Sequence, residues 1–355
     1  MSALQTDRLS SIGVRPNQNA NVEQKVYDFS PLGTVATSSV ILVALILSYC
    51  LVAWVTSAPP IHITSNRIRA HDDLRFATLL SLIIATSLAM ARFVRLGDRR
   101  DLDAIRAVFG GGEASLIEFA KPVPEGGHLE RATLIGVLVG VIACLTNETH
   151  GVAGVLAGSA TALWFSLVIT LLSVLFVRGI ELTRVRRRLY RRLIDSNLEI
   201  ELLRIDRLSV IGRAAARQAV SWFVVSAVGC LLLVGGAFSL VNLTILLACF
   251  AMGGWIFVSM MLRVHEKITA TKSVELDRLF SQIAPLREKA IVDTDSALRL
   301  HTLLEYEKRI ADAPEWPFDQ TTLVRVAASA LILTTPWFGQ AIAGYFVERI
   351  GAAFH

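Results

Sequence analysis

Six runs of apolar residues, each near the length needed to cross a bilayer, constrain this chain more than any other feature. About twenty mostly apolar residues, wound as a helix, span the ~30 Å hydrocarbon layer. Val35–Trp54, Phe76–Val94, Thr133–Thr146 (extending into Asn147), Ala157–Val177, Ala219–Leu240 and Leu243–Leu262 meet or approach that length, and they group as three hairpins. Composition agrees: 53% of the 355 residues are apolar and 18% are charged, against about 25% charged in soluble domains. A soluble core has no room for this excess. Disorder, collagen, a coiled-coil rod and a disulfide-framed secreted domain are excluded. The expected fold class is all-α: a polytopic membrane protein with six transmembrane helices and long cytoplasmic helical extensions. A seventh apolar stretch, Leu323–Phe346, carries Pro336 near its middle and reads as a kinked span or a re-entrant hairpin.

Lys and Arg placement sets the orientation. The N-terminal tail and the segments after the second, fourth and sixth runs hold twenty-nine of them; the opposite links hold three, Arg67, Arg69 and Arg75. This predicts a cytoplasmic N-terminus in a multi-pass protein of the cell inner membrane. The expected organisation is a tail over 1–32, a first hairpin over 33–94 and a cytoplasmic loop over 95–131. Spans three to six occupy 132–262 with a cytoplasmic insertion at 178–218, followed by a helical region at 263–321 and a final membrane segment at 322–355. The net charge of +5 serves topology rather than nucleic-acid binding. The polar first thirty residues lack the layout of a cleaved signal peptide.

The cytoplasmic segments have helical texture. Leu189, Leu193, Ile200, Leu203 and Val210 recur at heptad-like spacing, which predicts that the fourth span continues inward before turning back into the fifth. Residues 263–284 extend the sixth span until Pro285, which should break or kink it. Thr294-Asp295 should cap a further helix bearing Leu300, Leu303, Leu304 and Ile310. Asp101–Phe109 reads as a short amphipathic helix ended by Gly110-Gly111-Gly112. Leu279, Phe280, Ile283, Leu300, Leu303 and Leu304 are too many apolar groups to leave in water, so these segments should pack as a bundle.

Chemistry is sparse. Phosphate-loop, zinc-protease, nucleophile-elbow and calcium-loop motifs are absent. Cys50, Cys144, Cys230 and Cys249 all lie in apolar runs without a CxxC pair. No enzyme activity, cofactor or metal is expected. Charged side chains are expected to be missing from the span interiors, which argues against proton relays and voltage sensors. The hydroxyls of the first and fourth spans read as helix packing in preference to pore lining. Gly136 and Gly140, four apart, should let two helices approach closely. Asn147, Glu148 and His150 form a polar cluster at the external end of span three, read as a helix end and glycine turn before an ion site. Arg186, Arg187, Arg188, Arg191 and Arg192 lie where anionic headgroups would meet them.

The tetrad Trp316-Pro317-Phe318-Asp319, followed by Leu323, Arg325, Pro336-Trp337, Gly339 and Glu348, resembles the C-terminal end of a broad set of uncharacterised prokaryotic multi-span membrane proteins. The resemblance covers about residues 300–350 and implies a membrane protein without naming an activity. Trp316, Pro317 and Phe318 suit an interfacial anchor.

The sequence therefore points to a structural or signalling membrane component with a cytoplasmic helical interaction bundle. Its expected partners are membrane lipids and either a second copy or another protein engaging the cytoplasmic helices. The alternative is an oligomeric channel or transporter without buried titratable groups.

Overall fold

The computed structural model describes residues 22–28, 30, 32–56, 61–64, 67–70, 72–101, 104–105, 126–146, 152–197, 200–233, 240–291 and 293–316. The helices are α1 Val22–Asp28, α2 Thr34–Val55, α3 Asp72–Arg100, α4 Gly127–Thr146, α5 Val152–Leu156, α6 Ala160–Asn197, α7 Ser209–Gly229, α8 Leu240–Lys289 and α9 Thr294–Ala311. Six of them, α2, α3, α4, α6, α7 and α8, are long and apolar enough to cross a membrane. That is the helix set of a multi-pass membrane protein. The link from α2 to α3 adds a small hairpin that an all-α reading omits: β1 Ile61–Thr64 pairs antiparallel with β2 Arg67–Ala70, Ile61 opposite Ala70 and Thr64 opposite Arg67.

The outer surfaces explain why water is the wrong solvent. Val43, Leu47 and Leu51 of α2, and Leu134, Leu138 and Leu145 of α4, stand exposed. A contiguous apolar face on this scale marks contact with lipid or protein. Inside, Tyr49, Trp164 and Phe165 interlock, with Tyr49 edge-on to Trp164 at 5.1 Å between ring centroids. The Trp164 indole N–H donates to Ser48 Oγ at 2.9 Å, so the buried ring keeps its polar atom satisfied. The hydroxyls of α2 and α6 bond locally: Ser38 Oγ to the Thr34 carbonyl, Ser48 Oγ to that of Leu45, Thr170 Oγ1 to that of Ser166. Each of these bonds closes within its own helix turn.

Gly136 and Gly140 do what their spacing implies, within one chain. A Cβ on Gly136 would sit 2.6 Å from the Val174 Cα, and one on Gly140 would sit 2.6 Å from the Thr170 Cα. Only hydrogen fits there, so α4 and α6 meet backbone to backbone.

Two helices outrun the bilayer. At 1.5 Å per residue, α6 is about 57 Å long and α8 about 75 Å, against ~30 Å of hydrocarbon. Beyond Arg263, the first charge after the apolar run, α8 projects about 40 Å further. It passes Pro285 and ends at Lys289, whereas a break or kink was expected. The proline deprives only the Ser281 carbonyl of its donor, one turn before the helix ends anyway. The helix expected to run through Leu189 to Val210 is broken. α6 stops at Asn197, and Leu202–Leu208 forms a 3-10 turn with Arg204 outside helical geometry. Asp195-Ser196-Asn197 are weak helix formers, and Lys267 Nζ of α8 caps the end by donating to the Ile194 and Asp195 carbonyls. Breaking there folds Leu202, Ile205 and Leu208 back onto Leu193 and Ile194. α7 begins ten residues before Ala219, and α8 already includes residues 241–242, so the link between them lies upstream of Leu240.

α8 and α9 form an antiparallel hairpin. Its inner seam buries Leu279, Ile283 and Ile310, with Leu300, Leu303 and Tyr306 packed against them. Phe280 and Leu304, expected inside, are exposed at 52% and 42%. Each follows an inward residue by one position, which on a helix turns it about 100° away. Lys272 Nζ reaches the carbonyls of Ala311 and Ala313 at 2.7 and 3.1 Å, capping α9.

The N-cap of α9 is Asp293, one residue before the expected pair. Its carboxylate accepts from the Asp295 and Ser296 amides and from Ser296 Oγ. The Ser296 hydroxyl and amide, then the Asp295 amide, hold the Asp293 carboxyl below the ordinary value. A lowered carboxyl pKa gives stability that is complete above the unfolded value, about 3.9, and is lost as pH falls through the folded one. Amide exchange at Asp295 and Ser296 should therefore be protected at pH 6 and lose protection only once pH falls below the ordinary carboxylate range. Asp293→Ala should show the unprotected rate at both pH values.

Candidate functional site

The Arg-rich ends of α3, α6, α7 and α8 lie together with α1, and the polar chemistry of the described residues gathers there. α1 is short but amphipathic: Glu23 and Tyr27, one turn apart, are buried, while Lys25 and Val26 are exposed. Glu23 meets Arg178 of α6 in a two-pronged pair, Nε to Oε1 at 2.5 Å and Nη2 to Oε2 at 3.0 Å, both side chains 7% exposed. Arg178 Nη1 also donates to Thr133 Oγ1 of α4 at 3.0 Å. Asp28 takes Arg92 Nη1 of α3 at 2.8 Å, and the Tyr27 hydroxyl lies 2.8 Å from Ser38 Oγ of α2. One seven-residue helix is thus tied to α2, α3 and α6, and through Arg178 to α4.

Depth follows from the rise. Arg178 lies 18 residues along α6 and Arg92 lies 20 along α3, about 27 and 30 Å from their opposite ends. That is one hydrocarbon thickness, so the pairs sit at the boundary of the apolar layer. The expectation that charges avoid the spans needs correcting here: Arg92, inside the second apolar run, is buried, as are Arg95, Asp98 and Arg178. Partners from α1 and neighbouring helices make burial tolerable for Arg92 and Arg178.

A second cluster joins α3 to α6 and α7. Arg217 donates to Asp101 Oδ2 at 2.6 Å and to Asp98 Oδ1 at 3.3 Å. Its aliphatic stem lies across Gly97, where an added Cβ would fall 2.4 Å from Arg217 Cδ. Arg186 Nη1 lies 2.9 Å from Asp98 Oδ2, an ion pair without hydrogen-bond alignment. No family model, curated protein or solved structure matches this chain.

Of the arginines expected at headgroups, Arg188 and Arg192 are exposed, Arg186 is engaged with Asp98, and Arg191 is half-buried. The Arg187 guanidinium sits 5.4 Å from the Trp255 ring centroid, a cation–π contact between α6 and α8. Trp316 stacks on His265, centroids 4.3 Å apart and planes within 10°, and His265 Nδ1 lies 3.0 Å from the Glu315 carbonyl oxygen. Because α8's apolar run ends at Leu262, this stack places Trp316 within one turn of the apolar boundary. Pro317, Phe318, the Asn147, Glu148 and His150 cluster, most of Asp101–Phe109 and the stretch 323–346 lie outside the described residues. Ile105 is described and fully buried beside Tyr190 and Leu193. Among the described residues, no three His, Cys, Asp or Glu side chains converge to hold a metal.

Residue reading missed the Glu23–Arg178 and Asp28–Arg92 pairs. A signal existed in each partner: Arg178 directly after one apolar run, Arg92 near the end of another, and two acids, Glu23 and Asp28, on either side of a tyrosine just before the first span.

Proposed function

We propose that this protein is a structural or signalling component of the cell inner membrane, with its N-terminus and Arg-rich end in the cytoplasm, that presents the α8–α9 hairpin to a protein partner. One observation carries this reading: α8 projects far past its apolar run and packs on α9, yet Val274, Phe280, Leu298 and Leu304 of the two helices stand exposed. Two helices bury one stripe each, and a hairpin of this length gains stability from a further packing element. The lysine caps and the Trp316–His265 stack hold it at a fixed angle to the membrane, as suits a platform. Trp316, with Pro317 and Phe318, acts as the interfacial anchor. The exposed arginines of 186–192 meet headgroups.

Photo-crosslinking in cells tests this. A crosslinker at Arg278 or Arg299, exposed at 69% and 72%, should give a discrete protein adduct. One at Leu138 on the lipid-facing side should give none. Absence of an adduct from both hairpin positions contradicts the reading.

A further inference from the structure

Arg95 is a deeply buried charge for which the described residues supply little compensation. It lies on one stripe of α3 with Arg92 and Arg99, spaced three and four residues apart. The residue is only 5% exposed, and its Nη1 has no hydrogen-bond partner. Among the described residues, Arg99, Arg186 and Arg92 act on it as like charges and Asp28 as an opposite one. Asp28 is already engaged by Arg92, and Asp98 is shared between Arg186 and Arg217. A buried guanidinium among three others is strongly unfavourable unless an anion joins it. A planar fork of donors matches the oxygens of a phosphate group.

We propose that Arg95, Arg99 and Arg186 form a binding site for an anionic phosphate group, supplied by the headgroup of an anionic phospholipid. Arg95 lies 23 residues along α3, about 35 Å from its opposite end, just past the hydrocarbon layer and at headgroup depth. Arg99, half-buried one turn further out, forms the approach. The phosphate would bridge α3 and α6 and supply the negative charge that the protein does not. The lipid source rests on the membrane reading above; the phosphate site does not.

The test is thermal unfolding of the purified full chain in neutral detergent, with added dioleoylphosphatidylglycerol, dioleoylphosphatidylcholine or sodium phosphate at matched ionic strength. Phosphatidylglycerol should raise the midpoint by several degrees and phosphatidylcholine should not. Arg95→Gln should reverse sign: more stable than wild type without anionic lipid, because a buried unpaired charge is gone, and less stable with it. Arg204→Gln, the same charge change at an exposed position, should respond like wild type. If Arg95→Gln does not fold, native mass spectrometry of Arg99→Gln replaces it, with phosphatidylglycerol retention at least about tenfold weaker than wild type, the loss of one charge-assisted contact. Stabilisation by inorganic phosphate equal to that by lipid would keep the site and overturn its lipid source, whatever the topology. An equal lipid response in wild type and the cluster variants, or none in any of them, overturns the site.

Discussion

Replacing Arg178 with alanine should cost the protein about 3–5 kcal/mol, the penalty for stranding one member of a buried ion pair. Glu23 would be left in an apolar setting with its two-pronged partner gone, and Thr133 would lose its donor. Glu23→Ala should cost a similar amount. The pair Glu23→Gln with Arg178→Met should recover most of the loss, because neither buried charge remains. Thermal or denaturant unfolding in detergent measures all three. If the singles match wild type, α1 is not fastened to α6, and the boundary cluster as described is wrong.

The second large effect is expected at the α4–α6 crossing. Gly140→Leu, or Gly136→Leu, drives a side chain into backbone atoms that a single Cβ would already approach to 2.6 Å. Overpacking of this kind costs typically about 1–3 kcal/mol. The upper end is expected here, because the obstructing atoms are backbone and cannot change rotamer. Gly179→Ala on α6, where a Cβ meets nothing within 4 Å, is the matched control. The folded fraction after detergent extraction should fall for the leucine variants and stay level for the control.

The six long helices were legible because lipid demands one thing of sequence, a run of apolar residues, and hydropathy reports it directly. Their ends were less so. α7 starts at Ser209, ahead of Arg213 and Arg217, because backbone hydrogen bonding continues after the side chains cease to be apolar. α6 ends at Asn197 because Lys267, some seventy residues later, caps it; heptad counting sees no such partner. The bundle expected at the basic end is present around Leu279, Ile283 and Leu300, yet Phe280 and Leu304 face outward, since an unbroken apolar pair on a helix does not reveal which member points in. The ion-pair clusters were the least legible. Glu23 and Arg178 are 155 residues apart, and Asp28 and Arg92 are 64 apart. Only tertiary packing selects those partners from thirty acids and thirty-five bases.

The central claim is that α1, the α6–α7 turn and the α8–α9 hairpin share one side of a membrane, with the β1–β2 hairpin and α5 on the other. Topology-reporter fusions after residues 65, 110, 152, 200 and 290 measure this directly. The account predicts cytoplasmic signals at 110, 200 and 290 and external signals at 65 and 152. A cytoplasmic signal at 152, or opposite signals at 200 and 290, would contradict it.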